Sequence, residues 1–180
     1  VNHKVWKQLN AKGIKTAEFF PAILGRLQLR INYRNHRKIV VIDNKVAYVG
    51  GFNVAKEYID LDKKFGHWRD THLRLKGSAV LGLQMRFILD WNYAAKENLL
   101  QNPKVFTGIE PGNRDFCEMQ IISSGPDNTS QQIRDNYMRL ITKAKKSIYI
   151  QTPYFIPDES IFNALLIAIR SGIEVNVMIP

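Results

Sequence analysis

The chain has one cysteine in 180 residues, Cys117, so no disulfide can form within it, and this sparing use suits a reducing compartment. Cys117 falls in a strand-like run, 116–122, where a buried thiol is the expectation. Long apolar runs are also missing. No stretch approaches the roughly 18 to 20 residues that span a bilayer, and the first residues carry no apolar signal core. These residues are therefore expected to be soluble by themselves. Acidic side chains are in short supply, 16 against 26 Lys and Arg, for a formal net charge of +10. Metal-ligand patterns are absent too: His67 and His72 are five positions apart with no cysteine nearby, poor spacing for zinc. Both histidines read as surface residues or as supports behind a site, and no metal or other cofactor is expected.

What is present is a globular composition, 45% hydrophobic and 11% aromatic, enough for one ordinary core or parts of two. Intrinsic disorder is excluded on that ground. The basic excess is uneven, because residues 1–50 hold ten Lys or Arg against only Glu18 and Asp43. Such a patch attracts nucleic acid, anionic lipid headgroups or small phosphate esters. The sequence opens inside a helical pattern and stops directly after a strand-like run, so it reads as a fragment.

Residues 1–10 have helical spacing, Gly13 supplies a stop, and 14–19 reads as a strand. The β-rich runs 37–42 and 46–49 flank Asp43, Asn44 and Lys45, which suit a tight connection between antiparallel strands. From Ser78, an expected N-cap, the residues Val80, Leu83, Phe87, Ile88, Trp91 and Ala94 recur at helical spacing and predict an amphipathic, core-facing helix. Prolines and glycines in 101–115 predict a linker. A second α/β cycle follows: strand 116–122, helix 130–145, strand 147–152, helix 158–171 and strand 173–179. Alternating strands and helices predict an α/β fold with a mixed, largely parallel sheet flanked by helices. The final glycine and strand after Gly172 repeat the pattern after Gly13, a weak sign of two similar halves.

The stretch richest in chemistry is Asn35-His36-Arg37-Lys38-Ile39-Val40-Val41-Ile42-Asp43, followed by Gly50-Gly51-Phe52-Asn53. In a strand, His36 and Lys38 project from one side about 7 Å apart, close enough to touch one phosphate. Gly50 and Gly51 let the backbone approach a ligand, and the Asn53 amide can donate to a phosphoryl oxygen. Asp43 has the opposite parity and lies at the turn, so it is expected to face away and orient the hairpin.

This arrangement resembles the HKD motif of the phospholipase D superfamily, His-x-Lys-x4-Asp-x6-Gly-Gly/Ser-x-Asn, and positions 36, 38, 43, 50, 51 and 53 all match. The flanks narrow the resemblance to bacterial cardiolipin synthases: Asn32-Tyr33-Arg34, Glu57-Tyr58 and Trp68-Arg69-Asp70-Thr71-His72 in the first part. Ser123-Ser124-Gly125-Pro126-Asp127 and the run Thr152-Pro153-Tyr154-Phe155-Ile156-Pro157-Asp158 resemble the opening of that family's second HKD half. The resemblance implies a first phospholipase D-like half at 1–115 and the start of a second at 116–180, whose own motif would follow Pro180. It implies a catalytic set of His36, Lys38 and Asp43, phosphate binding by Asn53, Gly50 and Gly51, and a histidine-orienting carboxylate, Asp70. His36 would attack phosphorus, giving a phosphohistidine, while the opposing motif protonates the leaving alcohol.

The implied substrates are anionic phospholipids, chiefly phosphatidylglycerol, with no nucleic acid partner. The implied location is the bacterial cell membrane, with the catalytic part on its cytoplasmic side. Residues 20–34 mix apolar side chains with Arg26, Arg30 and Arg34 and fit either an anionic headgroup layer or an internal element. A phospholipase or nuclease of the same superfamily fits the motif as well. An inactive module that binds anionic lipid or nucleic acid fits the charge.

Overall fold

A computed structural model of the chain describes residues 3–19, 35–64, 66–108, 117–125 and 128–179. The basic apolar segment 20–34 lies outside the described residues. The architecture is mixed α/β, in two compact units, Val1–Ile121 and Ile122–Pro180.

In the first unit, helix α1 (His3–Ala11) ends at Gly13, whose φ of 82° only glycine adopts without strain. The Gly13 N–H donates to Asn10 O (3.0 Å) and the Ile14 N–H to Leu9 O (3.1 Å), the paired closure of a Schellman cap. The expected strand 14–19 does not form, because no strand among the described residues pairs with it and an extended run without a ladder remains coil.

Strands β1 (Ile39–Ile42), β2 (Val46–Gly50) and β3 (His72–Lys76) form an antiparallel sheet in the order β1-β2-β3. Asp43 and Asn44 lie in the β1–β2 turn with φ of 53° and 55°, the left-handed region that Asp and Asn tolerate, and the Lys45 N–H closes it on Ile42 O at 3.0 Å. The Asn44 amide nitrogen lies 2.7 Å from each of the carbonyls of Val105 and Thr107, which fixes the turn against the following chain.

Alternation gives the sheet two faces. Ile39, Val41 and Val49 pack on the core of Ala47, Leu75, Val80 and Leu83, beneath helix α2 (Ala79–Ala95). Val40 and Ile42 stand on the other face, each 49% exposed. The stripe on α2 is only partly buried: Val80, Leu83 and Ile88 are inside, whereas Phe87 is exposed and stacks on Trp91 at 5.9 Å. A three-stranded sheet covers less of the helix than the stripe offers. Ser78 does not cap with its side chain, since its backbone is already helical and the first turn closes from Val80 N–H to Gly77 O. Residues 117–122 form no strand, again for want of a described partner, and Cys117 is exposed rather than buried. Ile121 nevertheless reaches the core, against Gly82 on α2.

The second unit contains α3 (Gln132–Lys143), β4 (Ser147–Gln151), α4 (Glu159–Arg170) and β5 (Glu174–Met178), with β4 and β5 parallel. Ile141, Ala164 and Leu165 form its core with Ile148, Ile150 and Val175. Asp158 caps α4, accepting from Ile161 N–H at 2.9 Å and from Arg134 Nε of α3 at 2.5 Å. Helix α4 ends as α1 does: Gly172 has φ 81°, and Ile173 N–H donates to Ala168 O at 3.0 Å. The glycine repeat is thus a repeated helix cap. Among the described residues no helix is long and apolar enough to cross a membrane.

Candidate active site

The chain enters β1 through Asn35-His36-Arg37-Lys38, and both odd residues bond to α2. Asn35 Nδ2 donates to Asp90 Oδ2 on α2 (3.0 Å), and Arg37 Nη1 donates to the same oxygen at 3.0 Å. Arg86, one turn before Asp90, donates to the other oxygen. The Arg37 N–H bonds Asn35 Oδ1 at 2.9 Å, so the two odd residues are also tied to each other. Asp90 is largely buried, with 13% of its side chain exposed, which strengthens these charge-assisted bonds. The strand expected from residue 37 begins only at Ile39, because the last β1–β2 pair is Ile39 with Val49 and Gly50 pairs with His72 on β3 instead. Side chains therefore hold His36 and Lys38 in place where the ladder has already stopped.

Lys38 lines an open cleft of about 870 Å³ together with Phe52, Asn53, Tyr58 and His72, on the sheet face away from α2. Its Nζ donates to the His36 carbonyl at 2.8 Å, leaving two further N–H donors for an anion. Asn53 Nδ2 donates to the Tyr58 hydroxyl at 2.5 Å. Tyr58 in turn packs edge-on against Phe52 (6.3 Å) and Trp68 (4.8 Å), so an aromatic cluster positions the amide.

Packing also requires the two glycines. A Cβ at Gly50 would sit 2.5 Å from Thr71 O and 2.6 Å from His72 Nδ1, and one at Gly51 would sit 2.7 Å from Asp70 Cγ. The entry to β3 fills the space that side chains would need. Asp70 Oδ1 accepts from Thr71 N–H at 2.7 Å, and no hydrogen bond among the described residues joins Asp70 to His36. Asp43 stands in the turn at the far end of β1 from Lys38.

Comparison with known proteins matches this sequence to cardiolipin synthases. The chain is 53% identical over 179 residues to the major cardiolipin synthase of Bacillus subtilis (strain 168), covering 98% of this chain and 36% of that one. It is 51% identical over 175 residues to cardiolipin synthase 2 of Staphylococcus epidermidis (97% and 36% covered) and 47% identical over 184 residues to a cardiolipin synthase of Clostridium perfringens (100% and 38%). Residues 137–180 match the family model described as cardiolipin synthase, PLD-like domain. By sequence, the chain is a cardiolipin synthase relative. It spans a little over a third of the length of the synthases it matches.

Within this cardiolipin synthase-like segment, the structure brings Lys38 and Asn53 to one cleft, with Lys38 Nζ bonded to the His36 carbonyl; Asp43 stands at the far end of β1, and no hydrogen bond among the described residues joins Asp70 to His36. Sequence reasoning missed Asp90, whose partners Asn35 and Arg37 are 55 and 53 positions away, separations at which no local pattern signals a pair. It also gave no role to Tyr58, although the Glu57-Tyr58 flank was part of the resemblance. His67, the other histidine set aside, pairs with Asp60 on the surface at 2.8 Å. That bond, together with a stronger one from Trp68 N–H, holds the Asp60 carboxyl below its usual range.

Proposed function

We propose that this segment supplies one half of the active site of a cardiolipin synthase, which joins two phosphatidylglycerol molecules into cardiolipin and releases glycerol. The observation that carries the reading is the meeting of Lys38 and Asn53 in one cleft directly beside His36, in a chain about half identical to cardiolipin synthases.

A neutral nitrogen of His36 attacks the phosphorus of the first phosphatidylglycerol. The bond from phosphorus to the glycerol headgroup oxygen breaks, and that oxygen takes a proton from the histidine of a second HKD motif outside this chain. The phosphatidyl group then rests on His36 as a phosphohistidine. The free hydroxyl of a second phosphatidylglycerol returns its proton to the opposing histidine, attacks phosphorus and breaks the phosphorus–nitrogen bond. Lys38 and the Asn53 amide stabilise the charge that gathers on the non-bridging oxygens.

In this reading residues 1–115 belong to the first half of the enzyme and 116–180 open the second, and the segment alone has little or no transferase activity. The work is done at the bacterial membrane, on its cytoplasmic side.

The test uses the complete gene product in membranes with labelled phosphatidylglycerol and a His36→Ala control, following cardiolipin and phosphatidic acid separately. His36-dependent cardiolipin supports the synthase. Phosphatidic acid alone would make the protein a phospholipase, and neither product would leave a nuclease or a binding module.

A further inference from the structure

His72 has a polar atom that the proposed chemistry leaves unused. Its Nδ1 is buried and has no hydrogen-bond partner among the described residues. The ring stacks on Phe52 at 5.5 Å with 27° between planes, and Nδ1 lies 2.6 Å from where a Cβ of Gly50 would be. The absence of a side chain at Gly50 is what admits the ring. Gly50 pairs directly with His72, and Lys38 lies one residue beyond the last β1–β2 pair, Ile39 with Val49. His72 lines the cleft that holds Lys38 and Asn53.

The tautomer follows from the sealed nitrogen. A proton on Nδ1 of the neutral ring would bury an N–H with no acceptor among the described residues, which is disfavoured. The neutral form with its proton on Nε2 leaves only a lone pair at Nδ1 and offers an N–H donor to the cleft. A neutral donor next to a lysine suits an anionic oxygen: it adds a hydrogen bond without adding the repulsion of a second cation.

We propose that His72 is a substrate-binding residue that donates from Nε2 to a non-bridging oxygen of the phosphodiester held by Lys38 and Asn53. The inference rests on reading the cleft as the phosphodiester site. Its role differs from that of His36: His72 keeps its proton throughout, forms no bond to phosphorus, and fixes which oxygen faces the sheet.

The test is made on the complete gene product in membranes, with His72→Phe, His72→Gln, His72→Asn and Lys38→Ala, recording phosphatidylglycerol turnover and thermal unfolding. Phenylalanine keeps the stack on Phe52 but removes the donor. Glutamine places an amide nitrogen near Nε2, and asparagine places one near Nδ1. The expectation is a roughly 10- to 100-fold loss of kcat/KM in His72→Phe, the size of one hydrogen bond to a charged group. His72→Gln should recover most of that loss and His72→Asn little of it, with unfolding temperatures close to one another. Normal turnover in His72→Phe beside an inactive Lys38→Ala would overturn the role of His72 and leave the cleft reading standing. Normal turnover in both variants would overturn the cleft reading and this inference with it. Should His72→Phe not fold, equal activity in the glutamine and asparagine variants is the overturning result.

Discussion

Replacing Asp90 with alanine is the sharpest perturbation of this site that touches none of its reactive groups. One carboxylate receives Asn35, Arg37 and Arg86, with the Asn35 and Arg37 bonds at 3.0 Å. Its removal leaves two guanidinium groups facing each other with only about a quarter of each side chain in water, 25% for Arg37 and 23% for Arg86. Breaking a buried pair costs about 3–5 kcal/mol, and the remaining access to water puts this case near 3 kcal/mol or slightly below. Asp90→Asn keeps an acceptor and the shape but loses the charge, so about half that loss is expected.

The catalytic consequence is separate from the global one. Asn35 and Arg37 bracket His36, and a shift of about 1 Å in a reacting group is enough to slow a reaction by around a hundredfold. Urea unfolding of the complete protein and initial rates of phosphatidylglycerol turnover, measured well below the unfolding temperature, report the two effects. A cycle of Asp90→Ala with Arg37→Met should show a coupling of more than about 1 kcal/mol. If Asp90→Ala leaves both stability and rate at wild-type values, the idea that side chains replace the ladder ahead of β1 is wrong.

Two further outcomes follow from local geometry. Gly51→Ala should destabilise the protein by roughly 1–3 kcal/mol, because the new methyl displaces the Asp70 carboxylate from Thr71 N–H; adding Asp70→Ala should return part of that loss, and strict additivity in urea unfolding would show that the crowding is not the cause. In the second unit, hydrogen bonding from Arg134, and then from the Ile161 N–H, lowers the Asp158 carboxyl below its ordinary 3.8. A depressed folded pKa gives stability that is fully present above the unfolded value and is lost as pH falls through the folded one. The gap in helix content between wild type and Asp158→Asn should therefore stay constant from pH 7 to about pH 4 and close only in stronger acid, as followed by circular dichroism; closure near pH 6 would refute the assignment.

The elements that sequence made legible are those whose causes are local. The hairpin was readable because β-branched runs flank Asp43 and Asn44, residues that tolerate the positive φ the turn imposes. Helices α2, α3 and α4 follow from apolar periodicity, and the glycines after α1 and α4 from the cap they make. Residues 14–19 and 117–122 have strand-like composition as well, yet a strand exists only when another chain segment supplies its hydrogen bonds, and that is not written in the segment itself. Cys117 was misplaced for the same reason: its burial was inferred from a strand that does not form.

The site divides along the same line. Lys38 and Asn53 could be read because the motif spacing sets them on either side of one hairpin, whereas the Tyr58 hydroxyl that accepts from Asn53 and the Asp90 anchor are set by tertiary packing. The case of His36 is the most instructive. Strand alternation predicted that residues 36 and 38 share a side; β1 turned out to start later, at Ile39, so the ladder cannot be what enforces it. Residues 35 and 37 are instead both bound to α2, which fixes the chain on either side of His36. In the proposed site the polar residues Asn35 and Arg37, bound to Asp90 and to each other, hold to α2 the stretch that carries His36 and Lys38.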